Sequence, residues 1–223
     1  MRPVLIFGAS RGVGLLLAKQ LRLHGVPVLA MLRSGLGRAE LEADGVRLAQ
    51  GDAFSRVDLE RVFALVQSEF DVVSTLGGLG PNGEYVDDVG NINVIDEAAR
   101  RGVCRFVLVT SIGCGDMAPF RSERAIAAFG AAVDAKTRAE DHMKRTIPQG
   151  TAIRPGGLRS EPATGRGILT TDAEMHGFIH RADVADLVAR ALRDDGTSSR
   201  AFAAVDADQA KSVNPIAPFP LAA

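Results

Sequence analysis

Glycines at positions 8, 12 and 14, with an arginine at 11, interrupt the apolar opening VLIFGASRGVGLLLAKQL of residues 4–21. Binding a phosphate is the chemistry that asks for this spacing. The chain must turn sharply after a strand, let an anion approach its backbone, and bring the next helix close. A Cβ obstructs each of these. Gly8 is expected at the turn, Gly12 against a pyrophosphate, and Gly14 where helix meets strand. The helix start then offers unpaired N–H groups and the positive end of its dipole. A glycine-rich turn without a ligand has the same composition. The context that favours a dinucleotide is the position of the loop between a strand pattern and a helical one, with a second strand pattern at 26–32.

NAD-selective sites usually carry an Asp or Glu about 20 residues past the loop, which accepts from the ribose 2′-OH. Here the second strand ends Met31-Leu32-Arg33-Ser34, and no acid follows before Glu40. Arg33 can hold a 2′-phosphate through charge-assisted bonds, and Ser34 can add another. Arg11 can lie over the adenine and the same phosphate. The cofactor expected is therefore NADP(H). The plainer alternative is that both arginines are solvated.

Short apolar runs alternate with helical patterns along the chain. Strands are expected at Pro3–Phe7, Val26–Leu32, Val46–Gln50, Asp71–Thr75, Arg105–Thr110, Thr151–Arg154 and Arg200–Val205. Helical patterns lie near 12–24, 36–43, 56–68, 86–101, 121–146 and 181–193. This alternation argues for an α/β fold with a doubly wound parallel sheet, Rossmann-like and in one domain. The domain is expected over residues 1–210 with its substrate pocket. The tail 211–223 holds three prolines in thirteen residues. It is expected to be extended or poorly ordered, with enough apolar content to lie along the surface.

Bulk composition narrows the function classes. The 223 residues are 46% hydrophobic and 24% charged, with a net charge of −1. No global field attracts nucleic acid or an anionic membrane. No apolar run approaches the roughly 18 residues of a membrane span. The opening MRPVLIFG shows no leader pattern, so a cytoplasmic location is expected. Cys104 and Cys114 lack metal-site spacing and are too few for a disulfide framework, so no metal is expected. The expected partner is a small-molecule substrate. A homodimer is possible through the small residues AAFGAAVDA of the long helix at 121–146, which serve equally well as core.

The spacing Gly-x-x-x-Gly-x-Gly resembles the loop of the short-chain dehydrogenase/reductase superfamily. Further stretches are similar to its landmarks in the same order: GDAFS at 51–55, VVSTLGG at 72–78, FVLVTSIG at 106–113 and AKTRAE at 135–140. AIRPGGL at 152–158 and HRADVADLV at 180–188 resemble the atypical NAD(P)-binding branch, which includes NmrA-like and biliverdin/flavin reductase-like members. The resemblance spans about residues 3 to 205. It implies cofactor contacts from Gly8, Ser10, Arg11, Gly12, Val13 and Gly14, from Arg33 and Ser34, and from Asp52 and Ala53. Thr75, Leu76 and Gly77 are implied beside the ribose and pyrophosphate, and Thr110, Lys136, Pro155, Gly156 and Gly157 beyond them. Asp52 is implied to bond the adenine amino group. A turn-forming Asp after Gly51 is the alternative.

The resemblance also implies catalytic roles. Ser111, at a strand end, would bond the substrate carbonyl, or else be an ordinary turn serine. Lys136 would bond the nicotinamide ribose, or else form a surface pair with Glu140 at i,i+4. The family's tyrosine, four residues before the lysine, is absent: position 132 is alanine, and Tyr85 is the chain's one tyrosine. Other proton sources are His176, His180, Tyr85 or water. His180 serves equally as a helix start, His176 as a solvated loop residue, and Tyr85 as packing at a helix start. His142 reads as an exposed helix residue and Asp183 as scaffold in a first helical turn. The reading that follows is an NADPH-dependent reductase of a carbonyl, quinone-like or conjugated acceptor. The alternatives are a redox-neutral epimerase, dehydratase or cyclase, and an NADP-sensing regulator.

Overall fold

A computed structural model describes residues 2–222. Residues 1 and 223, the outermost of the expected domain and tail, lie outside the described residues. Among the described residues, ten strands and six α-helices follow one another. Six strands form the parallel core of one sheet: β1 (Val4–Phe7), β2 (Val28–Leu32), β3 (Arg47–Gln50), β4 (Asp71–Ser74), β5 (Arg105–Val109) and β6 (Thr151–Pro155). The sheet is completed by β10 (Ala201–Asp206), parallel to β6, and β8 (Gly167–Thr170), antiparallel to β10. Its order is β3-β2-β1-β4-β5-β6-β10-β8. The reversal beside β1 opens a crevice at the carboxyl ends of β1 and β4, where open α/β sheets bind ligands. Phe7 of β1 is in register with Met31 of β2 and Ser74 of β4, so the three strands end together beneath that crevice.

Alternation along β1 builds both faces. Val4 and Ile6 join the core under α1 (Gly12–Leu23) and α6 (Arg181–Ala191). Leu5 and Phe7 join the opposite core with α3 (Arg56–Phe63), α4 (Asn91–Arg100) and α5 (Glu123–Thr146). The strand period of two places one buried strand in both layers. A short α2 (Arg38–Ala43) links β2 to β3.

Several boundaries differ from the sequence expectation. The helix expected at 86–101 is a π-helical turn, Val86–Gly90, continued by α4. The helix expected at 121–146 starts at Glu123, where the Ser122 hydroxyl accepts from the Ala125 N–H at 3.2 Å. A 3-10 turn, Gly115–Phe120, precedes it. The helix expected to reach 68 stops at Phe63. Three strands were not foreseen: β8, and the three-residue pair β7 (Gly157–Arg159) and β9 (Phe178–His180). Strands of three residues carry no readable alternation, and β7 and β9 pair only with each other. Small residues of α5 are used in the core at Ala135 and Ala139, whereas Ile126 and Phe129 near its start are 50% and 67% exposed.

The tail runs along the β8 edge. The Phe219 N–H donates to the Leu169 carbonyl at 2.7 Å, and the Phe219 ring lies 4.9 Å from that of Phe202. Covering an edge strand removes a template for unwanted pairing. Arg190 donates to the Leu221 carbonyl at 3.2 Å, holding the last turns of the tail. Phe219→Ala is expected to lower stability by about 1–3 kcal/mol, the scale for uncovering part of a buried aromatic. Urea unfolding checks it, with a lower midpoint and an unchanged slope.

Candidate functional site

A groove of about 450 Å³ opens at the crevice between β1 and β4. Its floor is the glycine loop, and the three glycines have three different reasons to be there. Gly8 adopts φ +92°, and a Cβ on it would stand 2.6 Å from the Thr75 hydroxyl oxygen. Gly14 has ordinary helical backbone, but a Cβ there would stand 2.5 Å from the Gly8 carbonyl oxygen and 2.6 Å from the Thr75 hydroxyl. Gly12 is needed for conformation alone. Its φ is +60°, and a Cβ would meet nothing nearer than Arg181 at 3.6 Å. Thr75 locks the junction by donating from its hydroxyl to the Gly8 carbonyl at 3.1 Å. α1 then begins without a side-chain cap and with no acid in its first turn. Its N–H groups and positive dipole end are left for an anion, which fits a pyrophosphate.

Gly8, Ser10, Arg11, Arg33, Ser34, Asp52, Ala53, Thr75, Leu76 and Gly77 all line this groove. Arg11, Arg33 and Ser34 are exposed along its rim. Nearby cations are occupied: Lys19 holds Glu40 at 2.5 Å and Arg38 holds Glu42 at 3.1 Å. Glu40, the first acid after β2, is therefore engaged by α1. Among the described residues neither Arg11 nor Arg33 joins an ion pair. Asp52 has the turn role considered for it and also borders the groove. Its Oδ1 accepts from the Phe54 N–H at 3.0 Å. Asn93 steadies the same loop from α4 by donating to the Ala53 carbonyl at 3.0 Å.

The remaining expected residues stand elsewhere. Val13 is buried in the core beneath α1. The Thr110 hydroxyl is committed to Glu140, donating at 2.6 Å to a carboxylate that is wholly buried. Glu140 also accepts from Arg154 at 2.6 Å, and Arg154 reaches Asp116 at 2.5 Å. Pro155 and Gly156 are buried at the end of β6, outside the groove lining. The Pro155 carbonyl accepts from the Ile112 N–H at 2.9 Å, and a Cβ on Gly157 would stand 2.5 Å from the Phe178 ring.

Ser111 is half-buried where β5 ends, its Oγ 3.7 Å from the Cys114 sulfur. Burial pushes the Cys114 thiol up, which leaves it a poor nucleophile. Lys136 does not form the surface pair with Glu140, because Glu140 is taken by Arg154. Its ammonium instead contacts the buried Asp87 of the π-helical turn. That contact lies against the groove wall: a Cβ on Gly77 would stand 3.3 Å from Lys136 Nζ. Burial pulls the Lys136 ammonium down to about 8. Ala132 is half-buried one turn before it.

Of the histidines, His142 is placed differently from expectation. His142 is half-buried and pairs with Asp96 at 2.6 Å, which corrects its reading as an exposed residue. His180 precedes α6 without capping it. Its Nδ1 lies 2.6 Å from the Pro162 carbonyl oxygen, so that nitrogen is engaged. His176 is exposed and bridged through its backbone to Lys211. Tyr85 is half-buried at the start of the π-helical turn and bridged to Leu79. Sequence reasoning missed Asp87, Asp116 and the Arg154–Glu140 pair. An arginine inside the otherwise apolar AIRPG run was the available signal for a buried partner.

The NAD(P)H-binding family matches residues 8–195, from the glycine loop to the end of α6 and beyond. The chain belongs to this family. Within it, the order of motifs places the chain in the atypical branch of the short-chain dehydrogenases/reductases. The structure of ChuY, an anaerobillin reductase from Escherichia coli O157:H7, is 34% identical, covers 96% of this chain and all of its own, and superposes with a TM-score of 0.84. YhfK of Bacillus subtilis, described as an uncharacterized sugar epimerase, is 30% identical over 185 residues, which is 81% of this chain and 83% of YhfK. Sanguinarine reductase of Eschscholzia californica is 33% identical over 124 residues, 53% of this chain and 44% of that protein. Among the described residues no helix is long and apolar enough to cross a membrane.

The family's glycine loop makes a graded prediction here. Gly12→Ala is expected to cost about 1–2 kcal/mol, the penalty for a side chain in left-handed backbone. Gly14→Ala is expected to cost about 3 kcal/mol or more, because backbone must move to admit the methyl group. Urea unfolding of the two variants checks the order, and equal costs contradict it.

Proposed function

We propose that this chain is an NADPH-dependent reductase that delivers hydride to a carbonyl, quinone-like or other conjugated small-molecule acceptor in the cytoplasm. The observation that carries this reading is the arrangement along one groove. Arg11 and Arg33, unpaired among the described residues, stand at the β2 end, and an uncapped helix start lies at the centre. The Lys136 ammonium stands at the opposite wall. Arg33 and Ser34 suit a 2′-phosphate, which separates NADP from NAD. Asp52 and Ala53 border the adenine side, and Thr75–Gly77 the ribose and pyrophosphate.

NADPH supplies the hydride when bound, and the protein's part is orientation and electrostatics. Ser111 donates a hydrogen bond to the acceptor oxygen, and Lys136 holds the nicotinamide ribose. With Ala132 where the family's tyrosine would stand, that position gives no proton. General acid catalysis typically contributes about 10²–10⁴-fold, so its absence suits acceptors whose reduced forms take their proton from water. The reductase names of ChuY and sanguinarine reductase support a redox role. The epimerase description of YhfK favours the redox-neutral alternative, to which the missing tyrosine is no obstacle.

NADPH fluorescence and absorbance, followed with flavin, quinone, tetrapyrrole and small ketone acceptors in turn, distinguish these readings. Protein-accelerated oxidation is expected with a conjugated acceptor. Tight NADPH binding without oxidation across the panel favours the redox-neutral or sensing role. Arg33→Ala is expected to weaken NADPH binding about 10-fold or more while sparing NADH, the scale of a lost hydrogen bond to a charged group. NADPH binding is expected to weaken as pH rises through about 8, because Lys136 loses its proton there.

A further inference from the structure

Asp87 is the buried ionisable group at the groove wall that the reading above does not use. Its side chain is 2% exposed, and its two oxygens serve two different elements. Oδ1 contacts the Lys136 ammonium of α5. Oδ2 accepts from the Gly78 N–H at 2.6 Å, in the loop that follows β4 and lines the groove. We propose that Asp87 is the positioning residue for Lys136: it fixes the ammonium at the nicotinamide-ribose end of the groove and ties it to the Gly77–Gly78 loop. This rests on the groove being a nicotinamide-dinucleotide site.

Three observations make the placement specific. First, Asp87 is itself anchored. The Asn91 amide donates to the Asp87 carbonyl at 3.0 Å, and its own oxygen accepts from the Ser74 hydroxyl at 2.5 Å, where β4 ends. Second, the wall is cut to fit the pair. A Cβ on Gly77 would stand 2.9 Å from Asp87 Oδ1, so the residue between the pair and the groove has no room for a side chain. Third, the other charged groups around Lys136 are engaged. On the π-helical turn, Asp88 is held by Arg138 of α5 at 2.5 Å. On α5, Glu140 is held by Arg154 of β6 at 2.6 Å. In the turn after β5, Asp116 is held by the same Arg154, and Cys114 is buried with its thiol pushed up. In the loop after β4, Glu84 accepts from Asn82 at 2.5 Å, and Tyr85 is the remaining titratable side chain before Val86.

A buried ion pair is weak evidence for stability, since desolvation offsets much of its attraction. A lysine held by a carboxylate keeps its proton and its direction, and both matter for bonding a ribose. Sequence distance hid the pair, because 49 residues separate its members.

The test uses the full chain with lysine labelled at Cε, followed by NMR through a pH titration without cofactor. Asp87→Asn is expected to lower the pH at which Lys136 titrates by about one unit or more, as loss of an adjacent opposite charge requires. At pH 9, above both titrations, NADPH affinity is expected to fall about tenfold, matching that shift. Affinity for adenosine 2′,5′-bisphosphate, which lacks the nicotinamide ribose, is expected to stay unchanged. Asp87→Glu should restore most of the NADPH affinity. An unaltered Lys136 titration in folded Asp87→Asn overturns the proposal, and so does an equal loss of both ligands. Should Asp87→Asn not fold, Lys136→Met reads the pair from the other side. The Asp87 carboxyl, followed at Cγ, must then titrate at higher pH than in wild type, and no change overturns the pairing. A wild-type protein that binds neither NADPH nor NADH sinks the functional reading, while the titration still decides whether Asp87 anchors Lys136.

Discussion

The close approach of Gly8, Gly14 and Thr75 is the constraint on which the site depends. The Gly8 carbonyl and the Thr75 hydroxyl occupy the space that any side chain at position 14 would need. Three elements therefore meet at one point: the end of β1, the first turn of α1 and the end of β4. Because Phe7 is in register with Ser74, the hydroxyl of the next residue falls directly on the turn. The helix start is thus held over the crevice between the strands, with its N–H groups uncapped. A looser junction would still fold as an α/β sheet, but its helix dipole would not be aimed at the crevice.

A second constraint acts through α5, where one helical turn separates two residues with different tasks. Glu140 is wholly buried and joined to Thr110 and Arg154, so it fixes the helix against β5 and β6. Lys136, one turn earlier, is left facing the π-helical turn and the groove wall. The i,i+4 spacing suggests that the two pair with each other. Burial decides otherwise, because Arg154 has no solvent and needs a full carboxylate. Fixing α5 through Glu140 is what gives Lys136 a defined place.

Local features were legible in the sequence, and distant pairings were not. β1, the glycine loop and α1 are contiguous, so strand pattern, glycine spacing and helix pattern could be read together. The seven parallel strands, β1–β6 and β10, announced themselves as apolar runs bounded by turns. β7 and β9 escaped because three residues hold no period, and their partner lies across a long loop. The π-helical turn escaped because Val86–Gly90 reads as the start of the helix that follows it. Thr110, Pro155 and Gly156 were assigned through motif resemblance to the cofactor. In the folded chain Thr110 completes the Glu140 cluster, while Pro155 and Gly156 close the end of β6. A motif marks a place in the fold, and the hydrogen bonds made there depend on residues distant in sequence.

On the proposed reading, an alanine at position 132 bears on the charge pattern of the groove as well as on its acid–base chemistry. A lysine beside a phenol acts partly by lowering the phenol pKa, and its unbalanced positive charge is useful there. Without the phenol, the same buried charge would be costly, and Asp87 balances it. The Lys136 end of the groove is therefore close to neutral. The opposite end carries Arg11 and Arg33, exposed and, among the described residues, without carboxylate partners. The resulting field is asymmetric along the groove. On the proposed reading it orients a dinucleotide, drawing the phosphate-bearing adenosine half to the arginines. The less charged nicotinamide half then lies over a balanced ion pair, whose directed N–H bonds hold the ribose without attracting a second anion.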